Sequence, residues 1–292
     1  MHNKVVSIVL PTYNGAKYIK QSISSCLNQT YSNLELIIVV DGSIDNTLDI
    51  INSYSDARLK TIVNNQNLGL PNALNAGFAI TKGYYLTWTS DDNIYKLTAI
   101  ELMVNYLNNN PSVGLVCSPF WEIDGNGNII KLCIPKPMDM IWEANTVGAC
   151  FLYKRKVYET IGNYNPNAKY VEDYEYWLKT SLKFHMHSLE IPLYFYRIHD
   201  DALTNIPGLI FDRSRLASKI RRRNFNRSWH SHWLKMSQID IEEAFANYRD
   251  GETDRIPILV IRGVLRNPIW LRNRGVLSIF LKSVLSKINV FR

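Results

Sequence analysis

Four apolar runs, each followed by a polar knot and then a helical pattern, organise the first hundred residues. VVSIVL (Val5 to Leu10) is continuous and rich in β-branched side chains, as a strand buried on both faces should be. Behind it Ile19, Ile23, Cys26 and Leu27 recur at helical spacing. LELIIVV (Leu34 to Val40) predicts a second buried strand. Asp45 or Asn46 then caps a helix carrying Leu48, Ile51 and Tyr54. LKTIV (Leu59 to Val63) predicts a third strand, and Pro71 opens a helix through Ala73, Leu74, Gly77 and Phe78. YYLTWT (Tyr84 to Thr89) is the fourth strand and runs into Asp91 and Asp92. Strands alternating with helices predict a parallel, Rossmann-like sheet with right-handed crossovers.

From about residue 111 the rhythm changes. VGLVCSPF predicts one strand, and DGNGN (Asp124 to Asn128) a hairpin turn. A strand near Val147 to Tyr153, a helix ending at Gly162, a helix from about Asp173 to Lys183 and a strand through Leu193 to Ile198 follow. After about residue 205 the strand signals fade, and the remainder, including Arg221 to Arg223, predicts helices.

A chain of 292 residues has room for one large core, or for one core and a smaller appendage. With 46% hydrophobic and 20% charged residues it is not a disordered protein. The apolar run before Pro11 is too short for a signal-peptide core or a membrane span. Cys26, Cys117, Cys133 and Cys150 lie far apart and form no CxxC pair, which argues against structural zinc and for a reduced, cytoplasmic setting. The net charge of +7 is concentrated at one end: from Arg255 onward there are eight Lys or Arg and no Asp or Glu. Such a protein has acidic partners, whether a nucleotide diphosphate, an anionic membrane or a nucleic acid.

Ligands of an open parallel sheet bind beyond the carboxyl ends of its strands. The residues there are Pro11-Thr12-Tyr13-Asn14-Gly15, Asp41-Gly42-Ser43-Ile44-Asp45, Asn67-Leu68-Gly69-Leu70 and Ser90-Asp91-Asp92-Asn93. Taken singly, Asp41-Gly42-Ser43 reads equally as a turn with a helix cap, and Asp91-Asp92 as a solvated turn. Taken together, two carboxylates closing an apolar strand call for a cation, and a hard metal such as Mn2+ or Mg2+ bridging to phosphate oxygens supplies one. No GxGxxG follows the first strand, which disfavours a dinucleotide-binding dehydrogenase.

PTYNG (11–15), DGSIDNT (41–47), NLG (67–69), SDD (90–92), Glu172-Asp173 followed by Trp177, and YRIH (196–199) stand in that order. The series resembles glycosyltransferase family 2, inverting enzymes with the GT-A fold. The resemblance implies a mostly parallel, Rossmann-like α/β sheet flanked by helices, with a helical, basic C-terminal extension. In these terms residues 1–205 are the catalytic domain, with a nucleotide-sugar half over 1–110 and an acceptor half over 111–205, and residues 206–292 are the extension. It further implies donor contacts from Pro11, Thr12, Tyr13, Asn14, Asn67, Gly69 and Asp91, and an imide acceptor at Asp41 that suits uracil and hence a UDP-sugar. Asp92 would hold the divalent metal. His199 would join it or be a hydrogen-bonded histidine closing a strand.

Asp173 matches the catalytic base. Inversion in one displacement needs a carboxylate to take the acceptor hydroxyl's proton, while the departing diphosphate needs its charge neutralised by the metal. Glu172 and Trp177 would orient Asp173 or meet the acceptor, and Glu172-Asp173 can at the same time cap a helix. Leu74-Asn75 stands where many relatives carry Arg-Asn, and Thr89 or Ser90 where an additional Asp often begins the metal motif. The implied acceptor is a hydroxyl of a glycan or lipid-linked saccharide, in surface polysaccharide synthesis. A catalytically silent nucleotide-sugar binder and a sugar nucleotidyltransferase are the rivals. A nucleic-acid partner is not expected, for want of any recognition motif.

The basic end allows two readings. Its apolar stretches are too short to span a bilayer. From Gly275 onward Val276, Ile279, Phe280, Val284 and Ile288 recur at helical spacing. They form either an interfacial helix on the anionic inner face of the cell membrane or a helix packed on the catalytic domain.

Overall fold

The computed structural model describes residues 4–168, 170–199, 209–225 and 229–289. They fall into two compact units that divide between residues 200 and 201. The expected boundary at 205 lies outside the described residues.

The first unit is built on a seven-stranded sheet. Its first four strands are β1 (Val6–Thr12), β2 (Leu34–Asp41), β3 (Leu59–Asn64) and β4 (Tyr85–Trp88), all mutually parallel, with β1 and β2 buried at every position. Pro11 sits inside a central strand without cost because β4 pairs with β1 only from Val6 to Val9. Past that point β1 has β2 as its neighbour on one side alone, so no β4 ladder bond is lost to the missing N–H. Thr12 is thereby delivered to an open edge. Between these strands run α1 (Ile19–Leu27), α2 (Thr47–Asn52) and α3 (Leu70–Ala79), with Pro71 in the first turn of α3. The Tyr54 expected on α2 lies beyond its end.

After the short β5 (Ile94–Tyr95) and α4 (Ala99–Asn109), the single strand expected at VGLVCSPF is divided. Pro119 separates β6 (Val113–Ser118), in the large sheet, from β7 (Phe120–Ile123), in a second sheet. The DGNGN turn joins β7 to β8 (Ile129–Cys133), and Asp124 Oδ1 accepts from the amides of Asn126 at 2.8 Å and Asn128 at 2.9 Å. β9 (Cys150–Lys154) inserts antiparallel between β4 and β6, so the sheet is mixed, with order β10-β6-β9-β4-β1-β2-β3. α5 (Arg155–Ile161) closes on Gly162 at φ 84°. There follow α6 (Glu172–Ser181), β10 (His185–Ser188) and β11 (Tyr194–Arg197), with β11 lying between β5 and β7 in the second sheet.

The core under β1 and β2 is aliphatic, and Ile8, Leu10, Ile19, Ile23, Leu36 and Ile38 are fully buried. Beside β9 it is aromatic. Trp177 of α6 meets Phe151 edge-on at 4.6 Å, and Tyr164 stacks on Tyr176 at 4.2 Å. Asn75 ties α3 to this cluster: its Nδ2 donates to Tyr164 O at 2.8 Å, and Tyr164 N donates to its Oδ1 at 2.8 Å. The four cysteines form no disulfide, and burial pushes the thiols of Cys26, Cys117 and Cys150 up to about 12 and that of Cys133 up to about 11.

The second unit is helical: α7 (Leu209–Phe225), α8 (Trp229–Arg249), α9 (Ile256–Arg266) and α10 (Arg274–Asn289). Its own small core joins Ile241 and Ala244 of α8 to Ile256, Leu259 and Val260 of α9 and to Val276 and Ile279 of α10. Phe280 packs against this cluster, whereas the side chains of Ile288, Arg221 and Arg223 are not among those described. Asp240, with no exposed surface, receives Arg215 at 2.8 Å and Arg266 at closer range, while Arg215 also bonds Glu243. No helix among the described residues is long and apolar enough to cross a membrane. Removing one partner of a buried ion pair strands the other charge. Asp240→Asn is expected to lower the unfolding free energy by about 3 kcal/mol in urea titration.

Candidate active site

The carboxyl edge of the large sheet is stitched together by short polar bonds between loops. Asn14, at φ 55°, donates its amide to Ser43 Oγ at 3.0 Å and accepts Ile44 N on Oδ1 at 2.9 Å. Asp45 Oδ1 accepts Thr47 N at 3.1 Å at the start of α2, and its Oδ2 accepts Ala16 N at 3.1 Å. Of the two residues expected to cap α2, Asn46 holds the N-cap position without a side-chain cap bond, and Asp45 instead ties the start of α2 to Ala16, just after the PTYNG loop. Tyr13, half exposed, projects from that loop.

Asp41 is buried at the end of β2 and spends both oxygens inward. They accept Asn64 Nδ2 at 2.8 Å, Leu68 N at 3.1 Å and Gly69 N at 2.9 Å. Asn67 Oδ1 accepts the same Gly69 amide at 2.9 Å, and Gly69 takes φ 85° as it leads into α3. This carboxylate thus shapes the NLG loop rather than standing free for a base.

Thr12 Oγ1 donates to Asp91 Oδ2, which joins the end of β1 to the loop after β4. Burial first, and then the charge of adjacent Asp92, push the Asp91 carboxyl up to about 7 against the pull of Thr12. Burial raises Asp92 as well, although the bond from His199 opposes it. His199 Nε2 lies 3.0 Å from Asp92 Oδ2. The other oxygen, Asp92 Oδ1, is buried and has no hydrogen-bond partner. An orphaned oxygen beside a second carboxylate and an imidazole fits a hard divalent cation. Among the described residues no three His, Cys, Asp or Glu side chains gather as a metal cage, and Asp92 and His199 are the pair that would hold a cation here. The remaining positions would fall to phosphate oxygens and water.

The same loop is held from below by Arg197, a residue not singled out from the sequence although it sits inside YRIH. It is buried to 1% exposure and donates to Asp92 O at 3.0 Å, Gly125 O at 3.1 Å and Gln21 Oε1 at 2.6 Å. Arg197 is the last residue of β11, and His199 follows two residues beyond the strand's end, so the YRIH motif delivers both to the loop around residue 92.

Asp173 stands in the first turn of α6 with Glu172 and Glu175, where the helix macrodipole favours negative charge. Asn145 Nδ2 donates to Asp173 Oδ2 at 2.8 Å, and Tyr174 N donates to Oδ1 at 2.7 Å. Asn145 also went unmarked in the sequence. The start of α6 is tied to the end of β4, since Trp88 Nε1 donates to Tyr164 Oη at 3.1 Å and Tyr164 stacks on Tyr176. Glu172 is buried. Trp177 is fully buried among Phe151, Tyr153 and Tyr176, so it supports α6 from within the core and offers no face to an acceptor.

Residues 7–162 match the sequence profile of Glycosyl transferase family 2, and the chain belongs to that family. It is 29% identical over 265 residues to an uncharacterized glycosyltransferase of Haemophilus influenzae, covering 82% of this chain and 77% of that one. An uncharacterized glycosyltransferase of Rickettsia prowazekii is 32% identical over 192 residues, covering 61% of this chain, which thus spans 59% of the relative's length. Among solved structures, S. aureus TarS in complex with UDP-GlcNAc superposes with a TM-score of 0.65 at 14% identity, covering 97% of this chain and 91% of that one. The expected α/β GT-A architecture is the one observed.

Gly15 packs directly against the Thr12–Asp91 pair. A Cβ there would overlap Asp91 Oδ2 and Thr12 Oγ1. Gly15→Ala is expected to part that pair and cost about 1–3 kcal/mol of stability, as overpacking does, measured by urea unfolding.

Proposed function

We propose that this protein transfers a sugar from a UDP-sugar to a hydroxyl of a glycan or lipid-linked saccharide, with inversion at the anomeric carbon. The observation that carries the reading is the Asp91–Asp92 pair, half-buried at the edge of the sheet with one buried oxygen, Asp92 Oδ1, unpartnered among the described residues. A site so rich in uncompensated negative charge suits a cation and the diphosphate that comes with it. The TarS complexes with UDP and UDP-GlcNAc support a uridine donor.

In this reading Pro11, Thr12, Tyr13 and Asn14 border the nucleotide, with the exposed Tyr13 ring as the stacking surface. Asp41 orders the Asn67 to Gly69 loop, and a uracil imide N–H would reach it by displacing one of the two long bonds from Leu68 N. Asp91 lies toward the ribose or sugar. Asp92 and His199 would hold Mn2+ or Mg2+, which when bound neutralises the charge of the leaving diphosphate. Asp173 takes the acceptor's proton as its oxygen attacks. Asn145 fixes that carboxylate's rotation. Glu172 stands beside it, on the acceptor side. The division of residues 1–205 into a donor half and an acceptor half follows the same logic. The setting is the inner face of the cell membrane, where lipid-linked acceptors lie, and surface polysaccharide synthesis is the process.

Asp173→Asn is expected to reduce turnover by about a hundredfold to ten-thousandfold while UDP-GlcNAc affinity holds within about twofold. Unchanged turnover would remove Asp173 from the chemistry. A silent nucleotide-sugar binder would instead show donor affinity and no turnover in the parent protein. Calorimetry with UDP tests the cation site separately. Mn2+ should strengthen binding to the parent and have no effect on Asp92→Ala. An equal UDP affinity with and without Mn2+ in the parent would refute the metal assignment.

A further inference from the structure

The second unit carries more apolar surface than its own core uses. On α9, Ile256, Leu259 and Val260 point into that core, while Ile258, Ile261 and Leu265 are 58%, 48% and 74% exposed. Their spacing of three and four makes one stripe along the helix. On α10, Val276 and Ile279 are buried, while Leu277, Leu281 and Leu285 form a second stripe at 38%, 58% and 56% exposure. The turn Pro268–Arg272, which joins the two helices and packs on both, adds the exposed Ile269 and Leu271. A helix apolar on two faces needs a second apolar partner besides its core.

Charge indicates which partner. Of the basic residues beyond Asp254, Arg266 is bound to the buried Asp240, and Arg262 lies 3.8 Å from the same carboxylate. Arg255, Arg272, Arg274 and Lys282 are exposed and enter no ion pair among the described residues. No acidic residue follows Asp254. Two copies of this face would set like charge against like. Protein interfaces, moreover, draw their binding energy mostly from Trp, Tyr and Arg and under-use Leu. These stripes are Ile and Leu throughout, which a fluid hydrocarbon phase accepts without shape matching.

We infer that α9, the following turn and α10 form a docking face for an anionic lipid bilayer, with the helices in the plane of the interface and Arg255, Arg272 and Arg274 among the headgroups, while Lys282 donates to Tyr248 Oη at 3.1 Å. The inference rests on the membrane setting proposed above and names the surface that would meet it, while the chemistry of transfer is a separate claim.

Co-sedimentation of the full-length protein with vesicles tests it. One set is phosphatidylcholine alone, and the other is equal parts phosphatidylcholine and phosphatidylglycerol. Binding is expected to the mixed vesicles, to weaken as salt is raised, and to be weak or absent on phosphatidylcholine alone. Arg272→Gln with Arg274→Gln should weaken it at least about tenfold, each cation near the surface being worth about fivefold. Leu277→Gln with Leu281→Gln should abolish it with helicity and melting temperature preserved. Those positions are exposed, so a purely structural role would not give that split. No binding to either vesicle, equal binding to both, or a dimer by light scattering that the leucine variants dissolve would each overturn the proposal. Transfer to a soluble acceptor, measured alongside, separates the two claims. Vesicle binding without transfer would sink the proposed reaction alone, and transfer without vesicle binding the docking face alone.

Discussion

A guanidinium with almost no contact with solvent holds the polar edge of this protein together. Moving such a charge from water into the interior costs several kcal/mol unless every donor is met. Arg197 engages four of its five N–H donors with carbonyls and an amide oxygen rather than a carboxylate, and lies 4.5 Å from the centre of the Tyr18 ring. Its partners come from α1, from the loop after β4 and from the hairpin turn after β7. Its own backbone amide donates to Asn93 Oδ1 at 2.8 Å. None of these segments can shift without stranding a buried positive charge. Because the acceptors are neutral, the cation keeps its charge for Asp92, whose carboxyl burial raises and which His199 and, to a lesser degree, Arg197 draw back. His199, two residues on, is aimed by the same strand. The carboxylate pair is therefore held in position by a cation that need not touch a ligand.

What could be seen in the sequence follows burial. β1 to β4 were legible because strands covered on both faces leave continuous apolar runs, and the loops at their carboxyl ends could be named one by one. β10 was not, since HMHS alternates exposed and half-buried positions and carries no apolar signal. Pro119 hid a change of sheet inside a single apolar run. The site was legible in its acids and illegible in its supports. Arg197 bonds backbone carbonyls more than seventy residues away, and a carbonyl has no signature in sequence. Asn145 reaches Asp173 from a loop with no regular pattern. Trp177 misleads in the opposite direction: expected to orient Asp173 or meet the acceptor, it is core.

The two units solve the problem of buried charge differently. In the first, lone carboxylates at the sheet edge are left short of positive charge and their protons are held more tightly for it. In the second, Asp240 is over-supplied with arginines, which clamp α7 and α9 onto α8. The first arrangement suits a ligand that arrives with its own cation. The second spends its charge within the unit and turns the surplus outward as arginine and lysine.

The thiols have a practical meaning. With Cys26, Cys117 and Cys150 held up near 12 and Cys133 near 11, almost none is thiolate at neutral pH, and thiolate is the form that reacts with maleimides, iodoacetamide or peroxide. The native cysteines are thus chemically quiet, and a reporter cysteine placed on an exposed position would take a label well ahead of them. Spectroscopic probes can be attached to this protein without first stripping it of its own sulfur.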